Sequence, residues 1–204
     1  MATCYLVGAG EFTARGLSPA RGDLVIAADG GYTALAALGI QPDLLVGDFD
    51  SLATRPAGVP TLAFPVAKDD TDMGLAIREG LKRGYRDFAL YGAGGGRIDH
   101  FWANLQLLGG LSAHGAAARM VCPAFDVLAV TDGTIVLPPR PAGTVASVFC
   151  HGAKATGVTL TGLRYPLLNA TLTCDHPLGV SNVCLGGEAS VTALRGTLLV
   201  FVAL

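Results

Sequence analysis

The sequence predicts an α/β fold, in which an N-terminal domain built on a parallel sheet is followed by a small C-terminal antiparallel β-sandwich. In the first two-thirds of the chain, short apolar runs alternate with segments of helical periodicity, the pattern of parallel strands joined by helical crossovers. From residue 143 onward, short strand-like runs follow one another with no convincing helix between them. A stiff proline-rich linker starts at residue 138, which predicts domains of residues 1–137 and 138–204.

Five apolar runs in the N-terminal region predict the parallel strands. Each is short, rich in β-forming residues and closed by Gly, Asp or Pro, as expected of strands that are buried on both faces. The runs are residues 3–7, 23–28, 43–46, 87–91 and 119–122.

Two of the segments between these runs have helical periodicity. In residues 71–84, Met73 and Ile77 share one face while charged side chains occupy the other, which predicts an amphipathic helix. Residues 99–108 keep the same spacing, and Gly109-Gly110 predicts the end of that helix.

The C-terminal region begins with a hairpin signal. Asp132-Gly133 lies between the apolar runs 126–131 and 134–137, which predicts a two-residue β-turn. Beyond the linker, Gly, Asn, Asp and Pro separate the runs that predict the sandwich, which are residues 145–150, 156–160, 189–194 and 198–202.

Composition excludes several classes of protein. Apolar residues make up 51% of the chain and charged residues only 15%, so disorder is not expected. The net charge of −2 argues against a nucleic-acid partner, and five widely separated cysteines show no zinc-site spacing. There is no signal-peptide pattern and no apolar run long enough to span a membrane. We therefore expect a cytoplasmic protein with no nucleic-acid or membrane partner.

Acidic residues collect where the predicted parallel strands end. Because the carboxyl ends of parallel strands form one rim of a sheet, three separate stretches would deliver carboxylates to one place. Such a cluster of oxygen ligands is suited to binding Mg²⁺. Any one of these residues alone is also explained as the cap of a turn or helix. The residues are Asp29 in AADGG, Asp48 and Asp50 in VGDFDS, and Asp69, Asp70 and Asp72 in KDDTD.

A glycine-rich turn follows the predicted strand at residues 87–91. In YGAGGGRIDHF, Gly95 and Gly96 would let backbone N–H groups approach phosphate oxygens, and Arg97 adds a permanent positive charge. Asp99 would hold Arg97 in place or cap the next helix. The turn lacks the Walker pattern, so its combination with the acidic rim is what points to phosphoryl transfer. Gly8-Ala9-Gly10, after the first run, would either approach a nucleotide or only form a turn.

The ordered set of motifs resembles the thiamine pyrophosphokinase family. The first half carries ADGGYTAL, PDLLVGDFDSL, KDDTDMGLAI and GGRIDHFWANLQLL, and the second half carries GVTLTGLRYPL, LGVSN and a terminal strand pair. The resemblance extends over nearly the whole chain. It implies transfer of diphosphate from ATP to the hydroxyl of thiamine, with release of AMP. It also implies a homodimer with active sites between subunits.

The resemblance also implies roles for individual residues. Mg²⁺ would be held by Asp48, Asp50 and Asp72, and either Asp72 or Asp99 would accept the hydroxyl proton. The residues expected at the nucleotide and phosphates are Asp29, Asp69, Thr71, Gly95, Gly96 and Arg97, with Arg97 also assisting catalysis. Those expected near thiamine are Tyr165, Ser181 and Asn182. After Ser181-Asn182 this chain has Val183, where family members often carry an acidic residue.

Two other functions compete with this reading. The same ATP and Mg²⁺ site would serve a pyrophosphokinase with another hydroxymethyl acceptor, such as a pterin. A non-catalytic module that senses thiamine or a nucleotide is the other alternative. The GLRYPL and Ser-Asn segments argue against the pterin, and retention of Asp48, Asp50, Asp72 and Arg97 argues against the sensor.

Overall fold

The structure is a computed structural model that describes residues 2–48, 58–64 and 69–204. It divides into two compact units, which are described separately below. The first comprises Met1–Asn104 and Met120–Pro123, and the second comprises Leu105–Arg119 and Ala124–Leu204. The assignment of separate functions to residues 1–137 and 138–204 stays a prediction.

The first unit contains a parallel sheet. Its strands lie in the order β4-β3-β2-β1-β5, and all four neighbouring pairs are parallel. The chain moves outward from β1 through β2 and β3 to β4, while β5 pairs with the opposite edge of β1, so the strand order reverses between β1 and β5. The strands are β1 (Cys4–Val7), β2 (Leu24–Ala28), β3 (Leu44–Gly47), β4 (Thr61–Ala63) and β5 (Asp87–Tyr91).

Among the described residues, the chain up to Pro123 also contains three helices and one further strand, and the last helix and this strand have residues in both units. These elements are α1 (Gly31–Ala37), α2 (Asp72–Lys82), α3 (Ile98–Ala113) and β6 (Ala117–Val121). Helix α2 begins where its sequence predicts, because Thr71 is the N-cap and its hydroxyl accepts a hydrogen bond from the Gly74 N–H at 3.1 Å. The helix buries Met73 and Ile77, as its apolar stripe predicts. Within the described ranges, no helix is long and apolar enough to cross a membrane.

The predicted end of α3 at Gly109-Gly110 is wrong, because the helix continues to Ala113. Neither glycine has a positive φ, so neither has the left-handed backbone that ends many helices. Gly109 lies against the His151 ring, where a Cβ atom would come within 2.5 Å of that ring. Glycine at this position therefore permits close packing and does not terminate the helix.

The second unit contains antiparallel strands. They are paired in the order β10-β8-β11-β7, with β9 added along β8. Their inward side chains form an apolar core that includes Val148, Leu160 and Val200. Together with the parallel sheet of the first unit, these strands confirm the predicted fold class. The strands are β7 (Phe125–Val136), β8 (Val145–Thr161), β9 (Leu167–Thr173), β10 (Gly179–Val183) and β11 (Ser190–Ala203).

The predicted hairpin at Asp132-Gly133 is wrong, because β7 runs through both residues. Asp132 has φ +47°, and the pairing of β7 with β11 shifts register at this point. The Asp132 carboxylate accepts a hydrogen bond from the Gly196 N–H at 2.7 Å. The extra residues at this shift, 194–196, lie on β11 opposite Asp132, so the predicted turn-forming pair continues a long strand beside an irregularity of its partner. The separately predicted runs 145–150 and 156–160 likewise belong to one strand, β8, and the last two runs belong to β11.

The two adjacent glycines of α3 give a matched test of this packing. We expect Gly110→Ala to raise the free energy of unfolding by about 0.5–1 kcal/mol, since nothing lies within 4 Å of the added methyl and alanine favours a helix. Gly109→Ala should lower it by about 1–3 kcal/mol, because the methyl overlaps the His151 ring. Denaturant unfolding of both variants measures the difference, and equal stability would contradict the packing role of Gly109.

Candidate active site

A cavity of about 600 Å³ opens at the carboxyl ends of the parallel strands of the first unit. Its wall includes residues that directly follow β1, β2, β3 and β5, together with the start of α2. A crevice at this edge, where the strand order reverses, is the common ligand site of open parallel sheets. The candidate site residues named from the sequence that line it are Gly8, Ala9, Gly10, Asp29, Asp48, Asp70, Thr71, Asp72, Gly95, Gly96 and Arg97.

Among the described residues, four carboxylates line the cavity. Asp29 directly follows β2 and has φ +46°, and its N–H donates to the Val46 carbonyl at 2.8 Å, which ties the end of β2 to β3. Asp48 follows β3, and Asp72 is the first residue of α2. Asp70 is the fourth. All four offer oxygen atoms, the donor type that Mg²⁺ takes in proteins, so the chemistry of this set fits that ion.

The described residues contain no group of three or more His, Cys, Asp or Glu side chains close enough to hold a metal ion by themselves. Asp50, which the sequence places in the metal site, lies outside the described residues. Mg²⁺ usually keeps several waters and takes only one or two carboxylates, with substrate phosphates completing its shell. A pair such as Asp48 and Asp72 is therefore compatible with this ion.

Of the two adjacent aspartates that the sequence places in the acidic rim, Asp70 lines the cavity, whereas Asp69, expected near the nucleotide, is exposed and does not. One Asp70 oxygen accepts a hydrogen bond from the Thr71 N–H at 2.8 Å, and the other forms an ion pair with Arg78. The carboxylate lies over the α-carbon of Gly74, where a side chain would overlap it. The position of Asp70 just before an N-cap was the available signal, but adjacent aspartates in a loop cannot be distinguished by spacing alone.

The glycine-rich turn after β5 has an irregular backbone that suits it to approach a ligand. Gly92, Gly95 and Gly96 have φ values of +55°, +71° and +61°, a region that side-chain-bearing residues rarely adopt. Residues 92–97 all line the cavity. The turn leads directly into α3. The N–H groups of the turn and of the first helical residues therefore lie on one stretch of backbone, an arrangement that favours the binding of anions.

Arg97 and Asp99 form a bidentate ion pair at the start of α3. The Arg97 Nη2 and Nε atoms donate to the two Asp99 oxygens at 2.6 and 3.1 Å. Arg97 lines the cavity, whereas Asp99 does not. The hydrogen bond from Arg97 lowers the pKa of Asp99 from 3.8 to about 2, and the pairing raises the pKa of Arg97. Asp99 therefore stays ionised and orients the guanidinium.

Two further polar residues, to which the sequence assigned no role in the site, line the cavity. His100 and Asn104 lie four positions apart on α3, hence on one face of the helix, and line the cavity together with Arg97, which directly precedes the helix. The buried Asn104 amide donates to the Ala93 carbonyl at 2.8 Å and so holds the glycine-rich turn against α3. This helical spacing was the signal in the sequence, although the apolar periodicity of α3 dominated it.

The residues predicted near thiamine lie in the second unit. The buried Asn182 amide accepts from the N–H groups of Tyr165 and Val183, both at 2.9 Å, and donates to the Tyr165 carbonyl at 2.7 Å. Tyr165 and Asn182 line a smaller cavity of about 110 Å³, whose other walls include Leu160, Leu167 and Leu178. Ser181 is exposed with φ +58°, its N–H donates to the Ser147 hydroxyl at 3.0 Å, and it is not part of that wall.

Comparisons with known proteins identify relatives of both units. Family models match at residues 20–120 (thiamin pyrophosphokinase, catalytic domain) and at residues 133–198 (thiamin pyrophosphokinase, vitamin B1 binding domain). Thiamine pyrophosphokinase of Bacillus subtilis (strain 168) is 28% identical over 182 residues, covering 86% of this chain and 85% of its own length.

Solved structures agree with these matches. The crystal structure of thiamine pyrophosphokinase from Bacillus subtilis is 25% identical, with a TM-score of 0.88 over 98% of each chain. That of a thiamin pyrophosphokinase family protein from Enterococcus faecalis is also 25% identical, with a TM-score of 0.82 over 100% of this chain and 99% of the other.

The Arg97–Asp99 pair leads to a prediction about proton binding. In Arg97→Gln, we expect the pKa of Asp99 to rise from about 2 toward 3.8, because the hydrogen bond from Arg97 is the largest cause of its depression. A group with a depressed pKa contributes stability above its unfolded value and loses it as pH falls. The pair should therefore weaken only below about pH 4.

NMR titration of the aspartate carboxyl carbons measures this shift. Asp175 is the internal control, since its pKa is lowered chiefly by a hydrogen bond from Thr173 and should not respond to the substitution. An Asp99 pKa that is unchanged in Arg97→Gln would contradict the assigned pairing.

Proposed function

The chain belongs to the thiamine pyrophosphokinase family, and we propose that it transfers the terminal diphosphate of ATP to the hydroxyl of thiamine. The products would be thiamine diphosphate and AMP. The observation that carries this proposal is the single cavity that joins an acidic rim to a glycine-rich turn and Arg97. Phosphoryl transfer depends mainly on positioning of the reactants and neutralisation of phosphate charge. The acidic rim and the glycine-rich turn with Arg97 would together provide both.

The glycine-rich turn would bind the polyphosphate of ATP. Backbone N–H groups at Gly95 and Gly96 can approach phosphate oxygens closely because neither residue carries a side chain. Arg97 would contribute a permanently charged planar donor, already oriented by Asp99. Asp29, Asp69 and Thr71 are proposed near the nucleotide by family resemblance, and of these Asp29 and Thr71 line the cavity.

Asp48 and Asp72 would hold Mg²⁺, together with Asp50 by family resemblance. When bound, the ion would neutralise negative charge on the phosphate oxygens. Asp70 is less suited to this role, because its carboxylate already forms an ion pair with Arg78 and accepts the Thr71 N–H. The ion pair leaves Asp70 as a residue that positions the start of α2.

Asp72 is the better candidate for the group that accepts the thiamine hydroxyl proton. The alternative, Asp99, has a pKa of about 2, and a carboxylate that acidic is a weak proton acceptor at neutral pH. Asp99 is also paired with Arg97 and does not line the cavity, whereas Asp72 does. Asp99 would thus assist catalysis through Arg97, as a positioning residue.

In the second unit, Tyr165 would contact thiamine while Asn182 positions it. The three hydrogen bonds of the buried Asn182 amide use its carbonyl twice and its amino group once, all to backbone atoms of residues 165 and 183. The Tyr165 side chain is 61% exposed and so is accessible for stacking on an aromatic ring. Ser181, which precedes Asn182, is exposed. The vitamin B1 binding match over residues 133–198 favours thiamine over a pterin as acceptor.

A homodimer with active sites between subunits is part of the proposal. The second unit exposes several large apolar side chains, a feature typical of interaction surfaces: Tyr165, Leu168, Leu178, Val180, Leu185 and Leu194. We expect sedimentation velocity to show a dimer at micromolar concentration. Leu168→Lys should shift it toward monomer, because this side chain is 87% exposed and a charge there would be desolvated in an interface. A fully active wild-type monomer would contradict this part of the proposal.

The reaction itself is tested by product analysis. The purified protein is incubated with thiamine, ATP and Mg²⁺, and AMP, ADP and thiamine phosphates are separated by chromatography. We expect AMP and thiamine diphosphate in equal amounts. ADP with thiamine monophosphate would mean transfer of a single phosphoryl group, and no thiamine-dependent product would refute the proposed acceptor.

Two substitutions test the acidic rim in the same assay. Asp48→Asn and Asp72→Asn keep the shape of each side chain but remove its charge, so we expect turnover to fall by roughly 100-fold or more. Circular dichroism should show an unchanged fold. Asp175→Asn, at a fully exposed position in the second unit, is the matched control and should stay active. Near-native turnover in both rim variants would contradict the assignment of the metal site.

A further inference from the structure

The turn after β1 is paired with the glycine-rich turn after β5. The parallel register of β1 with β5 ends at Val7 and Tyr91, but hydrogen bonds continue past it. The N–H groups of residues 8, 10 and 11 donate to the carbonyls of residues 91, 92 and 94, each at 2.8 Å. The two turns thus form a double layer of backbone at the point where the strand order reverses.

This double layer requires close backbone contact. At Gly10, a Cβ atom would overlap the carbonyl oxygens of Gly92 and Gly94. At Gly95, a Cβ atom would overlap the Cγ and Cδ atoms of Glu11. The Glu11 side chain therefore occupies the space that a side chain on Gly95 would take. The Glu11 N–H donates to the carbonyl of the adjacent Gly94.

We propose that Glu11 is a positioning residue for the polyphosphate of the nucleoside triphosphate. Its side chain and its N–H together fix residues 94–96, of which Gly95 and Gly96 have positive φ, in the conformation that would present their N–H groups to the phosphates. This inference rests on the proposed function, because it assigns the polyphosphate to that turn. Glu11 lies outside the matched catalytic-domain range, which begins at residue 20.

The effect of Glu11 on the turn comes from the packing of its side chain and not from its charge. A carboxylate close to a phosphate site repels the ligand, so it would weaken binding if charge alone acted. Glu11 is exposed, and solvent screens its charge, whereas the contact of its Cγ and Cδ atoms with Gly95 is independent of ionisation. A neutral side chain of the same shape should therefore retain the function.

The test compares Glu11→Ala with Glu11→Gln by steady-state kinetics and by amide hydrogen exchange. In Glu11→Ala, we expect the KM for ATP to rise about fivefold with kcat within about twofold, because only the ordering of the binding turn is lost. Amide exchange at residues 94–96 should accelerate by at least the same factor. Glu11→Gln should stay within about twofold of the wild type in both measurements. Glu188→Ala, an exposed glutamate in the second unit, is the matched control.

Three outcomes would overturn the inference. Unchanged exchange at residues 94–96 in Glu11→Ala would exclude the positioning role. Equal impairment of Glu11→Gln and Glu11→Ala would assign the effect to charge. Additive effects of Glu11→Ala and Gly95→Ala in a double-mutant cycle would exclude their direct contact. If the wild-type enzyme forms no thiamine diphosphate, the proposed function fails, while hydrogen exchange still tests whether Glu11 orders the turn.

Discussion

The parallel pairing of β1 with β5 is the interaction on which the site in the first unit depends. It creates the reversal of strand order, and its hydrogen bonds continue into the two glycine-rich turns that follow these strands. Because all the paired strands are parallel, the turns after β2 and β3 end at the same edge and bring Asp29 and Asp48 to one cavity. Strand pairing by the backbone therefore brings together residues that are far apart in the chain.

Electrostatics then separates the acidic residues by role. Asp70 and Asp99 are each bound to an arginine, Arg78 and Arg97, so their charge is balanced within the chain. Asp48 and Asp72 line the cavity and are the carboxylates assigned to the cation that accompanies a polyphosphate. We therefore propose different roles for neighbouring aspartates of one short motif, since Asp70 is paired with Arg78 while Asp72 begins α2 at the cavity.

Sequence patterns predicted local structure well where the deciding interaction is local. The start of α2 depends on a hydrogen bond between Thr71 and Gly74, three residues apart, and was predicted correctly. The end of α3 and the turn at Asp132 were predicted wrongly because distant partners decide them: the His151 ring packs on Gly109, and Gly196 donates to Asp132. The choice of Asp70 over Asp69 at the cavity also depends on a partner, Arg78, two turns along the helix.

By itself, the sequence determined the class of the fold, four of the five strands of the parallel sheet and the family motifs, because periodicity and turn composition are properties of neighbouring residues. The short strand β4 (Thr61–Ala63) was not predicted. Only the tertiary structure decided which carboxylates share the cavity. It also brought Asn182 to the backbone of residue 165 and Glu11 to Gly95. These contacts join positions separated by many residues. Their geometry follows from strand pairing and close packing. A pattern along the sequence does not give the distances between residues that these interactions bring together.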